Sequence, residues 1–271
     1  MPVQTPTRIS RLFDSAKKKG RKPFIAYLTC GDPAPAHTVS LVLALERGGA
    51  DLIELGIPFS DPIADGPVIQ RASERALRAG TTLSQVLASV REIRRHSDVP
   101  LLLFSYMNPL LRYGFDRLSA DASAAGVDGV LLTDLCVEEA EAPVSRLRLH
   151  GLDTVFLAAP TSAERRLRLV AEHSSGFVYL VSRTGVTGEQ QSLSGAVAPL
   201  TNRMRRLTDL PLAVGFGIST PEQVAEVARI ADGVVVGSAI VKFIETHGGD
   251  PELAAGLEAF TRRLTASLPT A

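Results

Sequence analysis

The fold is decided by Asp51-Leu52-Ile53-Glu54-Leu55-Gly56-Ile57, a short run in which all residues except Asp51 and Glu54 are apolar. Such continuous runs are typical of parallel strands that are buried on both faces. Seven more runs share the pattern: Phe24–Cys30, Leu101–Ser105, Gly129–Thr133, Thr154–Ala158, Phe177–Ser182, Leu212–Gly215 and Gly233–Gly237. Eight alternations of strand and helix predict a (β/α)8 TIM barrel, with residues 1–271 forming a single domain. A doubly wound open sheet is the alternative.

Segments with helical spacing of apolar residues separate the strands. One of them starts at Thr220-Pro221-Glu222-Gln223, which combines an N-cap residue with proline at the first helical position. An amphipathic helix over Arg8–Lys18 precedes the first strand and is expected to cover the bottom of the barrel. The helix that follows Thr220 is predicted over Pro221–Ile230, and Ser238 is expected to open another. The remaining predicted helices are Val39–Arg47, Leu83–His96, Leu118–Ala125, Val137–His150, Ala163–His173, Ala198–Thr208 and Pro251–Leu268.

Composition excludes several classes of protein. The 29 basic residues equal the 29 acidic ones, so no positive excess favours nucleic acid, and no apolar run is long enough to span a membrane. The N-terminus lacks a secretory signal pattern, and Cys30 and Cys136 are too few for a disulfide framework, so we expect a cytoplasmic protein. None of the five histidines has metal-ligand spacing, and no metal is expected.

The active site of such a barrel lies at the carboxyl ends of its strands. In the second strand, Glu54 stands among apolar residues, where burial raises the pKa of a carboxyl group and allows proton exchange near neutral pH. The alternative is that Glu54 forms a structural salt bridge or faces a polar layer. The loop that follows, Pro58–Gln70, contains three prolines and two aspartates. It resembles a stiffened site loop, in which either Asp61 or Asp65 serves as a turn residue.

Later strand ends carry glycines. The segment after Ser182 contains Gly185, Thr187 and Gly188 and is interpreted as a mobile lid, with an ordinary connection as the alternative. Gly215-Phe216-Gly217 and Gly237-Ser238 follow the seventh and eighth strands, where barrels commonly bind phosphate. From the residues alone, the sequence predicts a phosphosugar-binding barrel, such as an isomerase or an aldolase.

One motif is far more specific. Residues 54–67, Glu-Leu-Gly-Ile-Pro-Phe-Ser-Asp-Pro-Ile-Ala-Asp-Gly-Pro, resemble the signature of the tryptophan synthase α subunit family. Four further motifs occur in the family's order and spacing: Thr29-Cys30-Gly31-Asp32-Pro33, Tyr106-Met107-Asn108-Pro109, Gly185-Val186-Thr187-Gly188 and Gly215-Phe216-Gly217-Ile218. The resemblance implies cofactor-free retro-aldol cleavage of indole-3-glycerol phosphate to indole and glyceraldehyde 3-phosphate.

The same resemblance implies roles for individual residues. Glu54 resembles the general acid/base, and Asp65 the carboxylate that accepts the indole N–H. The indole pocket would comprise Phe104, Leu131, Tyr179 and Phe216, with Thr187 in the lid. The phosphate cradle would comprise Gly188, Gly217, Gly237 and Ser238.

The family also implies a partner, a β subunit that carries pyridoxal phosphate in an αββα heterotetramer. A stand-alone lyase that releases indole and an inactive allosteric barrel are the alternatives. In Asp134-Leu135-Cys136 the cysteine replaces the family's usual proline. We therefore expect a looser loop there and weaker coupling to the partner.

Overall fold

The structure, a computed structural model, describes residues 6–181, 193–215 and 217–269. Its sheet contains nine parallel strands within those ranges. They are β1 (Phe24–Thr29), β2 (Leu52–Gly56), β3 (Leu101–Ser105), β4 (Gly129–Leu132), β5 (Asp153–Val155), β6 (Leu157–Ala158), β7 (Val178–Val181), β8 (Leu212–Gly215) and β9 (Gly233–Val236). The hydrogen-bonded order is β5-β4-β3-β2-β1-β9-β8-β7-β6.

The predicted (β/α)8 barrel is confirmed. Its fifth strand is interrupted at Phe156, which divides it into β5 and β6. The carbonyl oxygen of Phe156 still accepts a hydrogen bond from the Tyr179 backbone N–H at 3.1 Å. Because β5 and β6 are consecutive in the chain, the two ends of the strand order meet there and the ring of strands closes.

The helices surround this sheet. Those in the described ranges are α1 (Arg8–Lys18), α2 (Thr38–Arg47), α3 (Pro67–Arg78), α4 (Leu83–Ile93), α5 (Met107–Tyr113), α6 (Phe115–Ala125), α7 (Glu141–Leu149), α8 (Glu164–His173), α9 (Leu193–Arg205), α10 (Pro221–Ala228), α11 (Ser238–His247) and α12 (Leu253–Thr265). Two short 3₁₀ helices cover Pro35–His37 and Val137–Glu139. Within these ranges every helix is too short or too polar to cross a membrane.

Two of these helices were missed in the sequence. The segment predicted as loop up to Gln70 ends at Gly66, because Pro67 starts α3 at the first helical position, where its missing N–H costs nothing. Pro109 similarly lies in the first turn of α5. The predicted helix over Val137–His150 is also two elements, the second 3₁₀ helix and then α7.

The alternation of side chains along each strand divides the core into two layers. Leu28, Leu55 and Leu103 pack outward against the helices. Residues of the opposite parity, among them Ile25, Leu52 and Leu102, fill the barrel interior. Helix α1 has the predicted bounds, and its Ile9 and Phe13 close the amino-terminal end of the barrel against Phe177.

Candidate active site

A cavity of about 370 Å³ opens at the carboxyl ends of the strands. Strand alternation directs Glu54 into it, because Leu52, two residues earlier, already lies in the barrel interior. The lining residues come from strands, from the segments after β2 and β8, and from two helix starts. They are Tyr27, Glu54, Asp65, Gly66, Pro67, Val68, Ile69, Phe104, Tyr179, Gly217, Ile218, Val235, Gly237 and Ser238.

Glu54 is a buried acidic residue in the cavity wall. It pairs in register with Tyr27 on β1 and Leu102 on β3, and only 1% of its surface is exposed. Its Oε1 atom has no hydrogen-bond partner among the described residues. Burial raises the pKa of Glu54 to about 8. The group is therefore mostly protonated at neutral pH and can both deliver a proton to a bound molecule and take one back.

Asp65 is held by Tyr106, which follows β3, and by Gln70 on α3. The Tyr106 hydroxyl donates a hydrogen bond to Asp65 Oδ2 at 3.1 Å, and Gln70 Nε2 donates to the Asp65 carbonyl at 2.9 Å. Burial raises the pKa of Asp65 to about 6, against the opposing effect of the Tyr106 hydrogen bond. At neutral pH the cavity thus contains one neutral and one ionised carboxyl group, a division suited to acid–base chemistry.

The neighbouring aspartate in this loop behaves differently. Asp61 is exposed, and its Oδ2 accepts a hydrogen bond from Ser60 Oγ at 2.5 Å. It is not among the described residues that line the cavity. Asp61 is therefore the exposed member of the pair, and Asp65 is the one that lines the cavity.

Aromatic rings form the walls between the two carboxyl groups. Phe104 meets Tyr27 edge-on, with ring centroids 5.2 Å apart. Glycines make room for both tyrosine hydroxyls, since a Cβ on Gly56 would lie 2.2 Å from the Tyr27 oxygen and one on Gly215 would lie 2.1 Å from the Tyr179 oxygen. An apolar cleft with aromatic walls fits a flat aromatic ligand.

The other predicted pocket residues divide into two groups. Leu131 lies beside Phe104 in strand register and is fully buried in the barrel interior, but the described cavity wall does not include it. Phe216 and Thr187 lie outside the described residues, as does Gly188 of the predicted phosphate cradle.

The remaining cradle residues meet at one side of the cavity. Gly217 has φ +78°, a left-handed conformation that favours glycine. Gly237 and Ser238 precede and open α11, so the cavity wall includes the start of a helix, where the first backbone N–H groups have no partner within the helix. Helix N-termini attract anions through these N–H groups and the helix dipole.

Sequence reasoning missed part of the cavity wall. The sequence does not single out Tyr27, because an aromatic residue in an apolar strand looks like an ordinary core residue. Tyr27 lies two residues after Ile25 in β1, so both side chains face the barrel interior. The start of α3, with its N-cap Gly66 and residues Pro67–Ile69, also lines the cavity. The sequence predicts loop there because Pro67 looks like a loop proline. In the described ranges no group of three potential metal ligands occurs.

Comparison with known proteins agrees with this geometry. The family model for the tryptophan synthase alpha chain matches residues 13–268. The tryptophan synthase alpha chain of Solibacter usitatus is 67% identical over 258 residues, covering 95% of this chain and 97% of the relative. That of Geotalea uraniireducens is 51% identical, covering 97% and 98%.

The chain belongs to the tryptophan synthase alpha chain family. Solved structures agree: the alpha subunit from Legionella pneumophila superimposes with a TM-score of 0.88 at 37% identity, covering 97% of this chain and 98% of that one. Tryptophan synthase from Mycobacterium tuberculosis also gives 0.88, at 38% identity and the same coverage. The alpha chain is a lyase of tryptophan biosynthesis that cleaves indole-3-glycerol phosphate. The two alternatives, a stand-alone lyase and an inactive barrel, are not favoured.

Proposed function

We propose that this alpha chain cleaves indole-3-glycerol phosphate in the described cavity with Glu54 as general acid and then base. The neutral carboxyl group of Glu54 protonates indole C3. The bond from C3 to the glycerol carbon then breaks, and the resulting Glu54 carboxylate takes the proton of the glycerol hydroxyl. Indole and glyceraldehyde 3-phosphate form, and Glu54 returns to its starting state with no cofactor consumed.

Asp65 stabilises the intermediate of this reaction. Protonation at C3 places positive charge on the indole nitrogen, and an ionised Asp65 accepts the N–H there. In a cavity with mostly apolar walls this attraction is weakly screened by water, so it is stronger than in solution. Tyr106 holds the carboxylate in place through its 3.1 Å hydrogen bond.

The indole ring and the phosphate group of the substrate bind at different ends of the cavity. The indole ring lies among Phe104, Tyr179 and Tyr27, and Leu131 and Phe216 keep the indole-pocket role that the family resemblance implies. The phosphate group binds at Gly217, Gly237 and Ser238 together with Gly188, and Thr187 closes the lid over Asp65. No metal takes part. The whole chain, residues 1–271, acts as one barrel domain.

The observation that carries this proposal is the Glu54 carboxyl oxygen in the cavity wall that has no hydrogen-bond partner among the residues the structure describes. Its test is indole release from indole-3-glycerol phosphate by the full chain, by Glu54→Gln and by Glu74→Gln. Glu74 is exposed on α3 and serves as the matched control. We expect activity in the wild type and the control and loss of about 100- to 10,000-fold in Glu54→Gln. A Gln variant that retains a tenth of the rate contradicts the assignment.

We further propose that the chain works with a β subunit in an αββα heterotetramer, in the cytoplasm, with pyridoxal phosphate bound only by that partner. Ile63, 88% exposed, and Leu111, 57% exposed, lie after β2 and β3 on the face that carries the cavity. Apolar side chains on this face suit contact with a partner. Two free cysteines suit a reducing compartment.

Matched serine variants test the docking face. Ile63→Ser and Leu111→Ser should each weaken binding of the β subunit, measured by calorimetric titration. Leu149→Ser is the control, since Leu149 is 79% exposed at the end of α7, away from the cavity. Equal affinities for all three variants would refute this docking face. A lyase rate that does not respond to the β subunit would favour a stand-alone enzyme.

A further inference from the structure

The Thr29–Pro33 motif begins at the last residue of β1, at the catalytic end of the barrel, yet the described cavity wall contains none of its residues. The motif instead packs against α3. Gly31 adopts φ +85°, and a Cβ there would lie 1.9 Å from Thr81 Oγ1, just beyond the end of α3. The turn therefore requires glycine for two reasons, its left-handed backbone and its close approach to Thr81.

The aspartate of the motif forms the centre of a charge network. Asp32 is 1% exposed and accepts two hydrogen bonds from Arg75 on α3, at 2.7 and 2.9 Å. The same guanidinium donates to Glu245 on α11 at 3.0 Å. Arg71 and Lys242 complete the network on Glu245, at 2.6 and 2.7 Å. Asp32 thus connects β1 to both helices.

Both helices begin at the wall of the cavity. Helix α3 starts directly after Asp65 and Gly66, and α11 starts at Ser238. They pack against each other, and Ala72 on α3 and Val241 on α11 are fully buried in the same hydrophobic cluster. The distance between Asp65 and Ser238 therefore depends on how α3 and α11 are held against each other. In the proposed function, these two residues contact the indole nitrogen and the phosphate.

We propose that Asp32, Arg75 and Glu245 are positioning residues that fix α3 against α11 and so set the place of Asp65 relative to the bound phosphate. This inference rests on the proposed function of Asp65. A planar guanidinium that bridges two carboxylates fixes orientation as well as distance, which lysine cannot reproduce. Misplacement of a catalytic group by about 1 Å can cost about 100-fold in rate.

The test compares Arg75→Leu and Arg75→Lys with a matched ion pair elsewhere. Arg47 on α2 donates to Glu258 on α12 at 2.7 Å, so Arg47→Leu removes one interhelical ion pair remote from the cavity. We expect kcat for indole release to fall about 10- to 100-fold in Arg75→Leu and less in Arg75→Lys. Arg47→Leu should stay within about twofold of the wild type. Glycerol 3-phosphate, a probe of the phosphate end alone, should bind the Arg75 variants with unchanged Kd.

A double variant identifies the route of the effect. If Arg75 acts through Asp65, then Arg75→Leu should cost much less kcat in an Asp65→Asn background than in the wild type. Equal losses in both backgrounds, or equal rates for the Arg75 and Arg47 variants, would overturn the inference. If Arg75→Leu does not fold, Glu245→Gln, which leaves the Asp32–Arg75 pair intact, must show the same selective loss of kcat. An inactive wild type would instead refute the proposed function itself.

Discussion

Replacing Glu54 with glutamine should make the protein more stable while it removes activity. Glutamine has nearly the same shape as a protonated glutamic acid but never ionises. In the wild type the carboxyl group is 1% exposed and one of its oxygens has no partner among the described residues, so its ionised form is poorly solvated in the folded state. The variant removes this cost and the proton donor together.

The magnitude follows from the pKa of Glu54, which burial raises from 4.5 to about 8. Because the folded-state pKa lies above the unfolded value, this contribution to stability is complete below about pH 4.5 and is lost as pH rises through about 8. At about 1.4 kcal/mol per pKa unit, the wild type should lose about 3 kcal/mol by pH 7 and about 5 kcal/mol above pH 8 through this group.

The assay is chemical denaturation of the wild type, Glu54→Gln and the exposed control Glu74→Gln at pH 5, 7 and 8.5. The advantage of Glu54→Gln over the wild type should be small at pH 5 and grow by several kcal/mol toward pH 8.5. The control should follow the wild type throughout. A pH-independent difference, or a Glu54→Gln variant less stable than the wild type at pH 8.5, would refute the assigned burial and protonation state of Glu54.

Three other substitutions probe the remaining parts of the site. Asp65→Asn should lower kcat for indole release with little change in KM, because charge stabilisation matters most in the transition state. Equal rates for the wild type and Asp65→Asn would exclude the assignment, and Asp61→Asn is the control. Gly217→Val should raise KM more than it lowers kcat. The control is Gly80→Val: Gly80 has φ +82° but open space around it, so this variant shows the effect of backbone strain alone. Cys136→Pro should raise the ratio of lyase rates with and without β subunit, because φ is already −62° there and the Cys136 N–H donates no hydrogen bond within the described ranges. An unchanged ratio in a folded variant would argue against a coupling role for this loop.

Local signals predicted much of the fold and part of the site. Helix α1 has the predicted bounds because its apolar stripe is clear, and Glu54 stood out as a charge in an apolar run. Helices α3 and α5 were missed because a proline in the first helical turn has the same sequence appearance as a loop proline.

Long-range contacts could not be predicted from the residues alone. The hydrogen bond from Tyr106 to Asp65 joins residues 41 positions apart, and the Asp32–Arg75 pair joins residues 43 apart. No pattern within one element specifies such a partner, because the barrel brings separate strand ends together. Thr187, Gly188 and Phe216 remain predictions.

The division of labour between a protonated Glu54 and an ionised Asp65 is tested most directly by the pH dependence of kcat/KM for indole release. Asp65 must be ionised and Glu54 protonated, so kcat/KM should rise as pH passes about 6 and fall as pH passes about 8. The Asp65→Asn variant should lose the acidic limb and keep the basic one. A rate that keeps increasing above pH 8, or an acidic limb that survives in Asp65→Asn, would contradict these roles.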